Sequence, residues 1–181
     1  KKYKISIAES KYNYAYSKSW SFDHSGEYEL GVKYKPGVKI WSFAIGEEIR
    51  TRASVDSSGN IYFISSGGVI HAVDKKGNER WKYSSEKSMK GFPVLDYENN
   101  IYVNNNNQLL VLNNSGEKMW AFSTDSELTG SPVLSPAEKV YIAGKEKLYA
   151  VNKDGSLNWQ YEVDQGTIAV PPVLTKDGRL Y

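Results

Sequence analysis

Four tryptophans fall in step along this chain, at Trp41, Trp81, Trp120 and Trp159, with separations of 40, 39 and 39 residues. A glycine stands four residues before each: Gly37, Gly77, Gly116 and Gly155. About a dozen residues after each comes a short apolar segment, Ala53-Ser54-Val55, Pro93-Val94-Leu95, Pro132-Val133-Leu134 and Pro172-Val173-Leu174. A second follows closely: Asn60-Ile61-Tyr62, Asn100-Ile101-Tyr102, Lys139-Val140-Tyr141 and Arg179-Leu180-Tyr181. A third precedes the glycine, over 69–73, 109–112 and 148–151. Because several independent positions share one register, the chain is a tandem repeat of about forty residues, which restricts the fold more than composition can.

Each unit reads as four strands. Within the third, Val69, His71 and Val73 alternate with Ile70 and Ala72, the period of two that a strand imposes. Turns such as Asp74-Lys75-Lys76-Gly77 separate the strands; the leading Asp or Asn (Asp74, Asn113, Asn152) accepts backbone hydrogen bonds, and the closing Gly tolerates a positive φ. No stretch carries helical periodicity with caps. The predicted fold class is all-β, a β-propeller of four-stranded antiparallel blades forming a partial ring. Sliding the first forty residues by one period sets Gly37 on Gly77 and Leu30 to Tyr34 on the third strand. The whole chain 1–181 is therefore read as one propeller segment. Residues 1–11 are the last strand of a preceding blade, 12–44 a degenerate blade, 45–84, 85–123 and 124–163 full blades, and 164–181 the start of another. Open blade edges at either end are expected to offer sites for association.

Composition narrows the function classes. Positive and negative residues, 23 against 21, are interspersed to a net charge of +2, so no basic stripe would collect phosphates and no nucleic-acid partner is expected. No apolar run approaches the roughly 18 residues that span a bilayer. The chain has no cysteine, which removes disulfides, thiolate nucleophiles and Cys-based metal sites. Starting at Lys1 without a signal-like segment, the sequence reads as a mature or excised piece.

The segment Leu148 to Trp159, L-Y-A-V-N-K-D-G-S-L-N-W, resembles the repeat of PQQ-type propellers, as do Val69 to Trp81 and Leu109 to Trp120. These are the quinoprotein dehydrogenases and their non-enzymatic relatives. The resemblance implies that Trp41, Trp81, Trp120 and Trp159, with Gly37, Gly77, Gly116 and Gly155, dock successive blades, each indole wedging between neighbours. Enzymatic members bind pyrroloquinoline quinone with Ca²⁺ in the central funnel and use a catalytic Asp, often beside vicinal cysteines. The missing cysteines exclude that disulfide here, and the threonine that usually precedes the turn glycine is replaced by Lys76, Ser115 and Asp154. The repeats look more like those of the outer-membrane assembly-factor lipoprotein and of surface propellers.

Other candidates for chemistry have plainer readings. His24 and His71 are not repeat-equivalent and have no carboxylate at triad spacing. Carboxylates in Asp74 to Gly77, Asn152 to Gly155 and Lys176 to Gly178 lack the alternating oxygen ligands of a calcium loop and fit turn chemistry. Asn104 to Asn107 and Gln108 read as a solvated loop, and Asn113-Asn114-Ser115 as a turn that happens to match a glycosylation sequon. No catalytic or metal residues are therefore expected, no cofactor is predicted, and the sequence assigns no residue either way to cofactor binding. The chain reads as a scaffold for a protein or glycan partner, extracellular or in the cell envelope by the likeness. Two alternatives are a segment of a PQQ-dependent dehydrogenase, with PQQ and calcium bound, and a sensor propeller of a signalling protein.

Overall fold

A computed structural model describes residues 3–8, 39–49, 51–85, 87–175 and 177–181. They form strands and turns only, so no helix among them is long and apolar enough to cross a membrane. In chain order the strands are β1 (Tyr3–Ala8), β2 (Lys39–Ile45), β3 (Ser54–Val55), β4 (Ile61–Ile64), β5 (Val69–Val73), β6 (Glu79–Ser84) and β7 (Met89–Leu95). There follow β8 (Ile101–Asn105), β9 (Gln108–Leu112), β10 (Lys118–Ser123), β11 (Thr129–Leu134), β12 (Lys139–Ala143), β13 (Lys147–Asn152) and β14 (Leu157–Glu162). Three four-stranded meanders result, β3 to β6, β7 to β10 and β11 to β14, every pairing antiparallel. This is the predicted fold: consecutive propeller blades in an open array.

The two inner strands of each blade are mostly apolar and mostly buried, as expected where sheets pack on their faces. All four residues of Ile61–Ile64 are buried, whereas β6, at the rim, alternates with Glu79, Arg80 and Lys82 in solvent. Between the first two full blades lie Tyr62, Ile64, Ile70 and Ala72 from one sheet and Ile101, Val103, Leu110 and Leu112 from the next. Tyr102, Leu109 and Val111 face Val140, Ile142, Tyr149 and Val151 in the same way. Full burial of each large apolar side chain is worth roughly 1.5–3 kcal/mol, so these inter-sheet layers are what hold the array together. A third layer, Ile45, Ile49, Ala53, Ile61, Phe63 and Val73, joins the β2 region to the first full blade.

The N-terminal sheet departs from the division read in the sequence. In every full blade the fourth strand skips one residue just before its tryptophan. Trp81 pairs with Ala72 and Glu79 with Val73; Trp120 with Val111 and Lys118 with Leu112; Trp159 with Ala150 and Leu157 with Val151. In the two-stranded sheet Trp41 pairs with Ile7 and Lys39 with Ala8, the same skip. β1 thus holds the third-strand place beside β2, not the last-strand place of a separate blade given to 1–11. The equivalence is hidden in the sequence because 30 residues, 9–38, stand where the next blade has the five-residue turn 74–78. Leu30 to Tyr34, expected as that third strand, lie outside the described residues.

Candidate functional site

Each turn glycine in the series meets the indole of the preceding unit. A Cβ on Gly77 would lie 2.7 Å from Cδ2 of Trp41, on Gly116 2.6 Å from that of Trp81, and on Gly155 3.0 Å from that of Trp120. All three have φ between +83° and +89°, so a side chain there is disfavoured by the backbone as well as by the ring. Trp41 Nε1 donates to the Lys75 carbonyl at 2.8 Å and Trp81 Nε1 to the Asn114 carbonyl at 2.9 Å, both two residues before the glycine. A tyrosine of the same blade flanks two of these indoles, Tyr62 at 5.9 Å from Trp81 and Tyr102 at 6.1 Å from Trp120. Trp159 has its tyrosine, Tyr141 at 5.9 Å, but no glycine over it and is 40% exposed. Gly37 and His24 lie outside the described residues.

The turn carboxylates are committed to the backbone. Asp56 accepts from the amides of Ser58 and Asn60 and from the Tyr62 hydroxyl, and Asp96 does the same for Glu98, Asn100 and Tyr102. Asp74 caps Lys76 and Asn78, and Asp154 accepts from Ser156. Burial raises the Asp56 carboxyl, but the donors from Asn60, Tyr62 and Ser58 outweigh it and hold the group below its ordinary value. The Tyr62 hydroxyl is pushed up to about 12 by burial and by the Asp56 charge. No three Asp, Glu or His side chains converge to hold a metal ion among the described residues.

His71 is buried in β5, stacked 5.0 Å from the Phe63 ring and edge-on to Phe43 at 6.3 Å. Its Nδ1 has no hydrogen-bond partner among the described residues. Burial lowers its pKa, opposed by Glu79 and Glu47 and assisted by Lys82. The asparagine run is a correction to the expected solvated loop. Asn104 and Asn105 belong to β8 and are buried; Asn104 Nδ2 donates to the Gly130 carbonyl at 3.1 Å, and Asn105 Oδ1 accepts from Ser85 at 2.8 Å. Asn104 thus ties the second strand of one blade to the first strand of the next, and polar composition alone could not distinguish that tie from a loop.

A feature the sequence reading did not anticipate is a cleft of about 390 Å³ at the turn end of the last two complete blades. Val94, Leu95, Leu134, Pro136 and Val140 supply its apolar walls. Across its mouth Lys153 bridges Glu98 of one blade at 2.8 Å and Glu138 of the other at 2.9 Å. Tyr97, also lining the cleft, is 94% exposed. At the equivalent place one interface earlier, Arg80 donates to the Tyr62 hydroxyl at 3.2 Å; the repeat puts Met119 there in the next blade, 51% exposed. One signal was available. The left-handed turn position that holds Gly59, Asn99 and Gly178 holds Glu138, with φ 57°. A glutamate there costs backbone strain and marks a place worth testing.

Comparison with known proteins follows the fold. No curated protein matches the sequence. The crystal structure of BamB from Moraxella catarrhalis is 19% identical with a TM-score of 0.66, the match covering 76% of this chain and 44% of that one. Quinohemoprotein alcohol dehydrogenase from Comamonas testosteroni is 21% identical with a TM-score of 0.54, covering 64% of this chain and 21% of that one. The computationally designed Ika8 protein is 12% identical with a TM-score of 0.66, covering 81% and 49%. The chain thus spans less than half of each, and at these identities the likeness is one of fold. The family described as outer membrane protein assembly factor BamB matches residues 31–177. With the Gly–Trp register in place across that span, the chain belongs to this family of PQQ-like β-propellers.

Proposed function

We propose that the chain is a non-enzymatic binding module of the cell envelope or cell surface, presenting the cleft between its last two complete blades to a protein partner. The observation that carries this reading is the cleft itself: apolar walls, a rim of fixed charge and one almost fully exposed tyrosine. That is the make-up of a recognition site, with an apolar centre and a polar edge. Membership of a family named for an assembly factor supports a protein partner and an envelope location. In this reading Trp41, Trp81 and Trp120 are the struts that keep the blades in register, and the turn carboxylates serve the scaffold. A BamB-like module would act by holding its partner in place.

A photo-reactive residue at Tyr97 tests the proposal in cells. We expect a covalent protein adduct in the envelope or secreted fraction, lost when Leu134→Glu charges the cleft wall and absent from the same probe at Lys118 on the outer strand. Equal labelling at both positions, or none at Tyr97, overturns the reading; retention of a glycan polymer that depends on Leu134 replaces the protein partner with a sugar. Titration with the quinone and Ca²⁺ is expected to give no bound-cofactor absorbance, and such a spectrum would reinstate the dehydrogenase alternative.

A further inference from the structure

The turns that frame the cleft carry charges that the same turns do without one interface earlier. By the repeat register, Glu98, Glu138 and Lys153 stand where the interface between the first two full blades has Ser58, Asn99 and Asn114. Neutral residues make these turns equally well. The amides of Gly59, Asn99 and Glu138 each donate to the carbonyl three residues back at 3.1 Å. At Asn114 the docking indole of Trp81 uses the backbone carbonyl, not the side chain. Neither the turns nor the blade dock therefore needs the three charges, and side chains that the scaffold does not need point to function.

The charge they create is unbalanced. Three carboxylates line the cleft, Asp96, Glu98 and Glu138, against two ammonium groups, Lys139 and Lys153. Asp96 is enclosed by donors from Glu98, Asn100 and Tyr102, and Lys139 is taken up by Asn152 Oδ1. What faces solvent is the pair Glu98 and Glu138, whose side chains are 63% and 65% exposed, around a Lys153 side chain only 34% exposed. One ammonium shared between two carboxylates leaves a negative charge over, beside apolar walls. Ion pairs as exposed as these hold the lysine only weakly, so the carboxylates remain open to a second cation.

We propose that the cleft takes a protein segment in which an apolar side chain stands next to an arginine or lysine. The apolar group enters among Val94, Leu134 and Val140, and its cationic neighbour meets the carboxylates of Glu98 and Glu138. This rests on the reading of the cleft as the recognition site and names the chemistry that site selects. Charge complementarity chooses the occupant, since an acidic segment would meet like charge at the mouth. Arginine suits it best, because its planar guanidinium pairs with carboxylates in two-point fashion. Tyr97, on the same turn as Glu98 and 94% exposed, offers a ring face to the same guanidinium.

A random heptapeptide library displayed on phage and panned on the immobilised chain tests this with no partner in hand. We expect the retained peptides to be enriched in Arg or Lys next to Leu, Ile, Val or Phe. A synthetic copy of the commonest should bind about tenfold more tightly than its twin with Glu in place of the basic residue. Glu98→Ser combined with Glu138→Asn installs the residues of the earlier interface and leaves Lys153 as the free charge at the mouth. The tenfold preference should then vanish or reverse while apolar binding persists. Tyr97→Ser, a change confined to the surface, reports use of the mouth without disturbing the core. Enrichment of Asp or Glu, or a basic preference that survives the double variant, overturns the proposal. Peptides weakened by Tyr97→Ser but free of charge bias also overturn it, while leaving the cleft as the recognition site. No retained peptide, or peptides indifferent to both Tyr97→Ser and Leu134→Glu, overturns the site itself and the proposed function with it.

Discussion

Trp120 and Trp159 are the same residue in the same register, yet one is partly buried between two sheets and the other is exposed. Trp120 lies against Gly155 of the next blade and packs with Phe122 onto the layer formed by Val140 and Val151. Among the described residues Trp159 has the flanking tyrosine but no following glycine and no facing sheet. The repeat therefore does not encode a self-sufficient unit. Each blade carries half of two interfaces, and the value of a residue depends on whether the adjoining half is present.

The largest test of that contrast is truncation of the two indoles. Trp120→Ala removes a packed aromatic ring from between two sheets and is expected to cost about 3–5 kcal/mol, the usual range for such core truncations. Trp159→Ala removes a ring with one face in water and is expected to cost well under half as much. Urea midpoints for the two variants measure the difference directly. Equal losses would mean that Trp159 is covered in solution.

A second pair of variants isolates the receiving side of the contact. Gly116→Ala must place a Cβ 2.6 Å from the Trp81 ring at φ +83°, so overpacking adds to backbone strain, for a loss of about 2–4 kcal/mol. Gly178 has nearly the same φ, +82°, with nothing within 4 Å of an added Cβ. Gly178→Ala should therefore cost only the backbone part, about 1 kcal/mol. If both variants lose the same amount, the indole gives way and the dock is a loose contact.

How much of this was legible before the fold was known follows from the same logic. The Gly–Trp spacing, the Asp-to-Gly turns and the apolar inner strands are local patterns repeated three times, and each repetition corrected errors in reading the others. β1 was misplaced because its partner strand is 30 residues away and no local pattern reports a ladder across such a gap. Buried Asn104 was read as loop because a tie to the Gly130 carbonyl of the next blade leaves no trace in its own neighbourhood. Most of the cleft was invisible for a related reason: its walls come from two blades, and Lys153 meets Glu98 from 55 positions away. Only Glu138, at a turn position that elsewhere holds Gly or Asn, stood out within its own segment.

His71 carries the smallest effect and separates the first interface from the later ones. The repeat places His71, Leu110 and Tyr149 at one position, so of the three layers only the one next to Phe43 carries an imidazole there. Its folded-state pKa lies below the unfolded value of about 6.5, chiefly through burial, while Glu79 and Glu47 favour the proton and Lys82 opposes it. The folded state thus binds less proton than the unfolded chain. Stability from this group is complete above about pH 6.5 and is lost progressively as pH falls from there through the depressed folded value. The ordinary carboxylate range lies lower, so among the described residues only His71 has its ordinary value in the window just below pH 6.5. His71→Leu installs the residue, Leu110, that the next blade already uses. It should flatten the urea midpoint against pH in that window while leaving the acid limb below about pH 4.5, where the carboxylates take up protons, unchanged. A slope that survives the substitution would place the titrating group elsewhere and make the first interface electrostatically equivalent to the second.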